Sequence, residues 1–328
     1  VPKEEGESVR KKLLEMGILN TRLKIRVEEG FLLLPITEGS SVDGMEVIEE
    51  DFKELPPQVT DYREVARIPK ELRDLLPTSF DVIGDIAILK LPEQLAPHAT
   101  EIGRALMSTF PQLRSVLLDR GVEGEFRVRN LSLIAGDPDT ETIHTEYGIR
   151  LRVDPSKVYF NPRLAGERRR VASMVEEGET VVDMFAGVGP FSIMISRHSM
   201  ARQIFAIDLN PDAVRYLREN ALLNRAGNVT AIEGDARQIL DSLPPADRII
   251  MNLPHSAHEF LGKAAAKLRS GGTIHLYLVS ERNQIEGRVR RLLSELEAMG
   301  TRLIVASIRQ LKTYSPTMGV YAIDLVRC

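Results

Sequence analysis

The run VVDMFAGVGPFS at 181–192, read together with IFAIDLNP at 204–211, restricts the fold of this chain more than any other stretch. An apolar segment ends in Asp183, the glycines Gly187 and Gly189 follow, then a helix-like segment, then a second apolar segment ending in Asp208. Strand, tight turn, helix, strand is a crossover between parallel strands, and a parallel sheet needs helices on both faces. Glycines at the turn let the backbone approach a ligand closely, and a carboxylate ending the next strand can accept hydrogen bonds from a ribose diol. The pattern predicts a nucleoside-containing cofactor held by Phe185, Gly187, Gly189 and Asp208. For Asp208 the plainer alternative is capping of the helix that starts near Pro211.

The neighbours of the turn define the charge of the ligand. A dinucleotide site needs a third glycine to seat a pyrophosphate, and here Pro190, Phe191 and Ser192 follow the second glycine instead. Asp183 beside the turn would repel phosphates and attract a cation. S-adenosylmethionine, with a sulfonium and an ammonium, is the expected guest.

From residue 171 onward the alternation is regular. Strands are expected at 180–184, 204–209, 229–233, 248–252, 273–279, 303–308 and 320–326, with helices between the first six and a hairpin joining the last two. This is an α/β, Rossmann-like, seven-stranded domain with one antiparallel strand, and its ligand belongs at the carboxyl edge of the strands. Asp183, Asp208, Asp235 and Asn252 all fall on that edge.

A chain of 328 residues exceeds one such domain. Residues 1–52 predict a small α+β domain, with a helix over 3–19, a hairpin from 23–27 and 31–35, and a strand at 45–49. A proline-containing linker over 53–62 follows. Residues 63–155 predict a second α+β domain: a helix to Leu76, a hairpin at Gly84-Asp85, a helix over 96–110, and strands at 114–118, 124–130, 142–145 and 149–153. Alternation puts Arg127 with Arg129, and Arg150 with Arg152, on one face of their strands. With Lys157, Arg163 and Arg168 they suggest a basic surface, against the bland reading of a solvated sheet face, in a chain whose formal charge is only -4. The single cysteine, Cys328, excludes internal disulfides, and the histidines show no metal-binding spacing. No apolar run matches a bilayer span, and VPKEEGESVRKK lacks a secretory h-region.

These residues bring a resemblance with them. The carboxyl half resembles class I S-adenosylmethionine-dependent methyltransferases. NPRLAGERRR at 161–170, DMFAGVGPFS, AIDLNP and MNLPHSAHEFL at 251–261 together resemble the archaeal and eukaryotic tRNA (guanine-37 N1) methyltransferases, over the whole chain. The glycine motif is shared very widely, whereas the GER segment paired with Asn252-Leu253-Pro254 is far more specific. Relatives that transfer an aminocarboxypropyl group from the same cofactor depart at the Asn-Leu-Pro position.

What the resemblance implies is concrete. Guanine N1 carries a proton and becomes nucleophilic when it leaves, so a base near N1 and a cation near O6 are needed. Glu167 is the implied base, its pKa raised by partial burial above the ordinary value of about 4.3. Its plainer reading is a helix Glu paired with a neighbouring Arg. Arg127 is the implied O6 cation, although strand alternation would place Arg129 equivalently. Asn252 and Pro254 would hold the guanine edge by side-chain amide and backbone carbonyl. Tyr159 and Phe160 would line a pocket or pack in the core, and Asp235 would contact the adenine amino group or cap a helix. Residues 1–52 would contact the tRNA body, and the middle domain the anticodon stem. A cytoplasmic monomer without an obligate protein partner is expected. The competing classes are an aminocarboxypropyl transferase and a non-catalytic RNA-binding protein retaining the fold.

Overall fold

The computed structural model describes residues 1–328 except 29, 43, 55–60, 125, 314 and 316. The chain forms two compact units, Val1–Val65 and Ala66–Cys328. In the first, α1 (Gly6–Glu15) turns Val9 and Leu13 inward against Val42, and Gly17, at φ 70°, ends the helix in the left-handed region. β1 (Arg26–Glu28) and β2 (Phe31–Leu33) pair antiparallel, as expected. The strand expected at 45–49 does not form: Val47 and Ile48 are about half exposed, so no buried face drives pairing there. The expected linker falls mostly on 55–60, outside the described residues.

The helix expected over 63–76 is interrupted. α2 (Tyr62–Val65) stops short, and a 3₁₀ turn (Lys70–Leu75) begins only after Pro69, which disfavours helical geometry at Ile68. β3 (Asp81–Ile83) and β4 (Ile86–Leu89) form the hairpin at Gly84-Asp85. α3 (Ala99–Thr109) then crosses to β5 (Ser115–Glu123), parallel to β4, and β6 (Val128–Gly136) returns antiparallel to β5.

The strand expected at 124–130 is a correction. Gly124, Phe126 and Arg127 lie in turn conformation between β5 and β6, with Arg127 at φ 54°, and the strand starts only at Val128. Arg127 and Arg129 are therefore not equivalent: one sits in a left-handed turn, the other inside the sheet.

β7 (Thr142–Glu146) and β8 (Ile149–Val153) form a hairpin whose Ile149, Leu151 and Val153 enter the core while Arg150 and Arg152 face out. Two asparagines close the free edge of β8. Asn220 accepts from Arg152 N (2.7 Å) and donates to its carbonyl (3.0 Å), and Asn224 does the same for Arg150 (2.8 and 2.6 Å).

The large sheet follows α4 (Ala165–Ser173). In chain order it comprises β9 (Thr180–Asp183), α5 (Pro190–His198), β10 (Gln203–Asp208), α6 (Pro211–Leu223), β11 (Val229–Glu233), α7 (Ala236–Ser242), β12 (Ala246–Met251), α8 (Leu261–Lys267), β13 (Leu268–Glu281), α9 (Ile285–Ala298), β14 (Leu303–Thr313) and β15 (Met318–Arg327). The order is β11-β10-β9-β12-β13-β15-β14, and β15 alone runs antiparallel to its neighbours, as the sequence pattern predicts. Alternate strand residues split the core in two. Val181, Ile250 and Tyr277 meet Val171 of α4, Phe191 of α5 and Tyr216 of α6, whereas Val182, Ile249 and Leu276 meet Leu240 of α7, Leu261 of α8 and Val289 of α9. The first core continues into Ile86, Leu117 and Leu151, so the four-stranded sheet and the β7–β8 hairpin share it. No helix among the described residues is long and apolar enough to cross a membrane.

Candidate active site

The cofactor edge is built from turns at the ends of β9, β10 and β12. Gly189, at φ 87°, opens α5, and a Cβ there would lie 2.2 Å from Leu217 Cδ1, so only glycine fits. At Gly187, φ 55°, a Cβ would meet only Tyr159 O at 3.8 Å, which leaves that side of the turn open. Asp208 accepts from Gly187 N (2.7 Å) and Asn210 N (2.9 Å), fixing the turn to the next strand and leaving lone pairs for a further donor. Asn210, not Asp208, caps α6 by accepting from Asp212 N (3.0 Å), and it donates to Lys157 O (3.1 Å), which lays the segment after β8 along this edge. Tyr159 is 43% exposed, whereas Phe160 is buried and packs edge-on against His144, the core reading of that residue. Phe185 rests edge-on against Phe260.

Asp183 is buried and differently served. Ser192 donates to its Oδ2 (2.8 Å), but Oδ1 is buried without a hydrogen-bond partner among the described residues. Burial, with the charge of Asp208 adding to it, pushes this carboxyl up to about 7. A buried acceptor lacking a donor beside an open glycine turn fits a ligand that brings positive charge, and a phosphate would aggravate the deficit. The residues present thus suit S-adenosylmethionine: Asp183 for its charge, the turn for close approach, Asp208 for a diol. Among the described residues no cluster of His, Cys, Asp and Glu is arranged to hold a metal.

Two residues at this edge also carry structural hydrogen bonds. Asp235 caps α7, accepting from Arg237 N (2.8 Å), so one of its oxygens is committed to structure. The Pro254 carbonyl, expected to face the target base, accepts from Val279 N of β13 (2.9 Å). Asn252 keeps its half-buried amide free of hydrogen bonds among the described residues and follows the end of β12 directly.

The basic residues separate sharply. Arg129 is almost buried between Asp81 (3.0 Å) and Asp119 (3.6 Å), so its charge is consumed inside the fold. Arg127, half-buried in the turn, has no acid partner among the described residues, and its charge, after burial, is what lowers the pKa of His255. That brings Arg127 to the turn carrying Asn252 and Pro254. Arg168 is not on the surface: Glu146 receives its guanidinium in a buried bidentate pair (2.6 and 2.5 Å) and Asn161 O accepts from it (3.2 Å). Arg163 is half exposed on Asp81 (2.6 Å), Lys157 half exposed on Asp154 (3.3 Å), and Arg150 faces solvent. Lys312 of β14, missed by the sequence reading, lies near Asp81, Arg163, Arg129 and Lys90, and burial with these cations lowers its pKa.

Glu167 is the largest departure. It is buried in the first turn of α4 and accepts from Arg170 (3.0 and 2.8 Å), Arg309 (3.1 and 3.1 Å) and the Tyr277 hydroxyl (2.9 Å). Burial alone would raise its carboxyl, as expected from the sequence, but the hydrogen bonds and charge of the two guanidiniums outweigh it and hold the pKa below the ordinary range. The register explains the geometry: Tyr277 and Arg309 both lie opposite Ala322 of β15, whose small side chain leaves room above it.

One level back, His275, Asp324 and Ser307 align in the same way. Arg170 also binds Asp324 (2.9 and 3.1 Å), which accepts from Ser307 (2.8 Å) and His275 Nδ1 (2.6 Å). Burial and the nearby arginines keep His275 neutral, and Arg248 donates to its Nε2 (2.8 Å), so Nδ1 carries the proton. Arg248 is in turn held by Glu179 (2.7 and 2.8 Å). The signal for this buried chain was a His, a Tyr, an Arg and an Asp alternating through apolar strands.

A sheet of this order, with a glycine turn after its first strand and acids ending the next, defines the class I methyltransferase architecture. The chain belongs to the TRM5/TYW2 methyltransferase family. Residues 142–304 match the TRM5/TYW2 methyltransferase domain, 63–140 the TYW2 N-terminal domain, and 1–45 the tRNA methyltransferase 5 N-terminal domain. It is 46% identical, over 99% of its length and 97% of the relative's, to tRNA (guanine(37)-N(1))-methyltransferase Trm5b of Pyrococcus abyssi, whose crystal structure superposes with a TM-score of 0.77 over 100% of this chain and 98% of that one. A complex of aTrm5 with tRNALeu is similar at 34% identity and TM-score 0.72, covering 99% and 98%. Methanocaldococcus jannaschii TYW2 in complex with AdoMet is similar at 30% identity and TM-score 0.59, covering 76% and 100%.

Proposed function

We propose that this protein transfers the methyl group of S-adenosylmethionine to N1 of the guanosine that follows the tRNA anticodon. The observation that carries the reading is a pair of charges unmet among the described residues: a buried Asp183 oxygen without a donor at the sheet edge, and an Arg127 guanidinium without an acid partner near His255, in the turn that follows Asn252. Full-length relatives named tRNA (guanine(37)-N(1))-methyltransferases supply the substrate class.

The cofactor, when bound, supplies an electrophilic methyl on its sulfonium. Asp183 complements positive charge, and Asp208 and the Gly187 turn orient the nucleoside. Asn252 offers its amide to the guanine edge. Arg127 faces O6, where negative charge gathers as N1 loses its proton, and Glu167 takes that proton. Freed of its proton in this setting, N1 would be the nucleophile toward that methyl group. A target inside a stacked loop must be turned out to reach this edge. The reading extends to residues 1–52 on the tRNA body, residues 63–155 on the anticodon stem, catalysis in 156–328, and a cytoplasmic monomer.

The test is mass spectrometry of nucleosides from unmodified tRNA transcripts incubated with the protein and S-adenosylmethionine. One methyl on guanine N1, lost when the guanosine after the anticodon is replaced by adenosine, is expected. An aminocarboxypropyl adduct, which a relative 35% identical over 75% of this chain is named for, or no product at all, contradicts it.

A further inference from the structure

The two guanidiniums on Glu167 are held unequally. Arg170 is anchored at both ends, on Glu167 and on Asp324, and Asp324 is itself fixed by His275 and Ser307. Among the described residues Arg309 binds Glu167 alone, and its side chain is 36% exposed on β14, against 26% for Arg170. One arm is locked into the sheet, and the other reaches solvent. Lys312, half-buried three residues further along β14, lies near Arg163, Arg129 and Lys90 as well as Asp81, so cations outnumber acids around it, which suits RNA phosphates.

We propose that Arg309 is a positioning residue that responds to substrate: a phosphate of the bound RNA draws its guanidinium from Glu167 and leaves the carboxylate with one guanidinium instead of two. The inference rests on Glu167 as the base, and it accounts for a base stored in its least basic state. Four groups set the carboxylate: Arg170 on α4, Tyr277 on β13, Arg309 on β14, and Asp324 on β15 acting through Arg170. Arg309 can leave at the cost of one ion pair, whereas Arg170 swinging out would take a guanidinium from both Glu167 and Asp324. A phosphate that takes up Arg309 exchanges one ion pair for another, and Glu167 gains proton affinity when RNA is in place.

The experiment follows the Glu167 carboxyl by ¹³C NMR titration, with Glu167→Gln giving the assignment, in protein with and without an unmodified tRNA transcript. In the native protein the midpoint rises when the transcript is added. In Arg309→Ala it is already raised and the transcript moves it no further, while Arg309→Lys keeps part of the response. Arg309→Ala also reduces the salt slope of transcript binding by about one. A native midpoint that RNA leaves in place, or an equal rise in Arg309→Ala, overturns the proposal; the native result stands even if the alanine variant fails to fold. If Glu167→Gln keeps normal turnover, the base assignment falls, whereas the titration needs no turnover and still decides the role of Arg309.

Discussion

Asp183, at the end of β9, and Glu167, in α4 against the same sheet, are both buried carboxylates, and their surroundings are opposite. Asp183 has only uncharged donors and, among the described residues, an oxygen without a hydrogen-bond partner, and burial lifts it to about 7. Glu167 has two guanidiniums and a phenol, and they hold it low despite burial. Burial alone therefore does not set the protonation of a carboxyl; the charge of its donors decides, neutral at Asp183 and cationic at Glu167. A site short of a cation awaits one, and a site with a surplus has one to give up.

The largest effect expected is at Glu167. Glu167→Gln should lower single-turnover methyl transfer by about 10²–10⁴-fold while S-adenosylmethionine binding by calorimetry stays within about twofold. It should also destabilise the fold by roughly 3 kcal/mol in urea titration, since Arg170 and Arg309 lose their counter-charge. Loss of stability without loss of turnover would leave Glu167 a strut.

Asp183→Asn should sharpen the contrast through pH. The native carboxyl is raised from 3.8 to about 7, so its penalty on the free fold is absent below the unfolded value, grows as pH rises between the two, and is complete above the upper one. Asp183→Asn should remove that decline, making the free protein more stable than native at pH 8 and nearly equal at pH 4 in thermal unfolding. Cofactor affinity of the native protein should fall as pH drops through about 7, and the variant should bind about tenfold or more weakly without that dependence.

Arg127 and Arg129 repeat the comparison on the cationic side. Arg129→Ala takes the guanidinium from Asp119 and leaves Asp81 with Arg163 alone, and should cost roughly 3 kcal/mol of stability, whereas Arg127→Ala should leave unfolding almost unchanged and slow transfer by about 10²-fold. The reverse pattern would exchange their roles. Smallest is Arg163→Ala, half exposed on Asp81, expected to change stability by less than about 1 kcal/mol and the salt slope of tRNA binding by about one.

The sequence made the sheet legible because each strand there is an apolar run closed by a turn signal, and the acids at the strand ends mark the ligand edge. It misled where a single residue breaks a run. Pro69 cuts a helix, and Arg127, in the left-handed region, turns an expected strand into a turn, which alone separates it from Arg129. The clamp on Glu167 was not legible, because its members lie at 167, 170, 277, 309 and 324 and meet only through sheet register. Arg168 was misread for the same reason: its partner, Glu146, comes from a different hairpin.

One titration of the free protein, with ¹³C-labelled carboxyls assigned by Asp183→Asn and Glu167→Gln, tests the contrast most directly. Asp183 is expected to titrate near 7 and Glu167 below the ordinary carboxylate range, in the same sample. Both carboxyls titrating in the ordinary range, or Glu167 titrating above Asp183, would contradict that contrast.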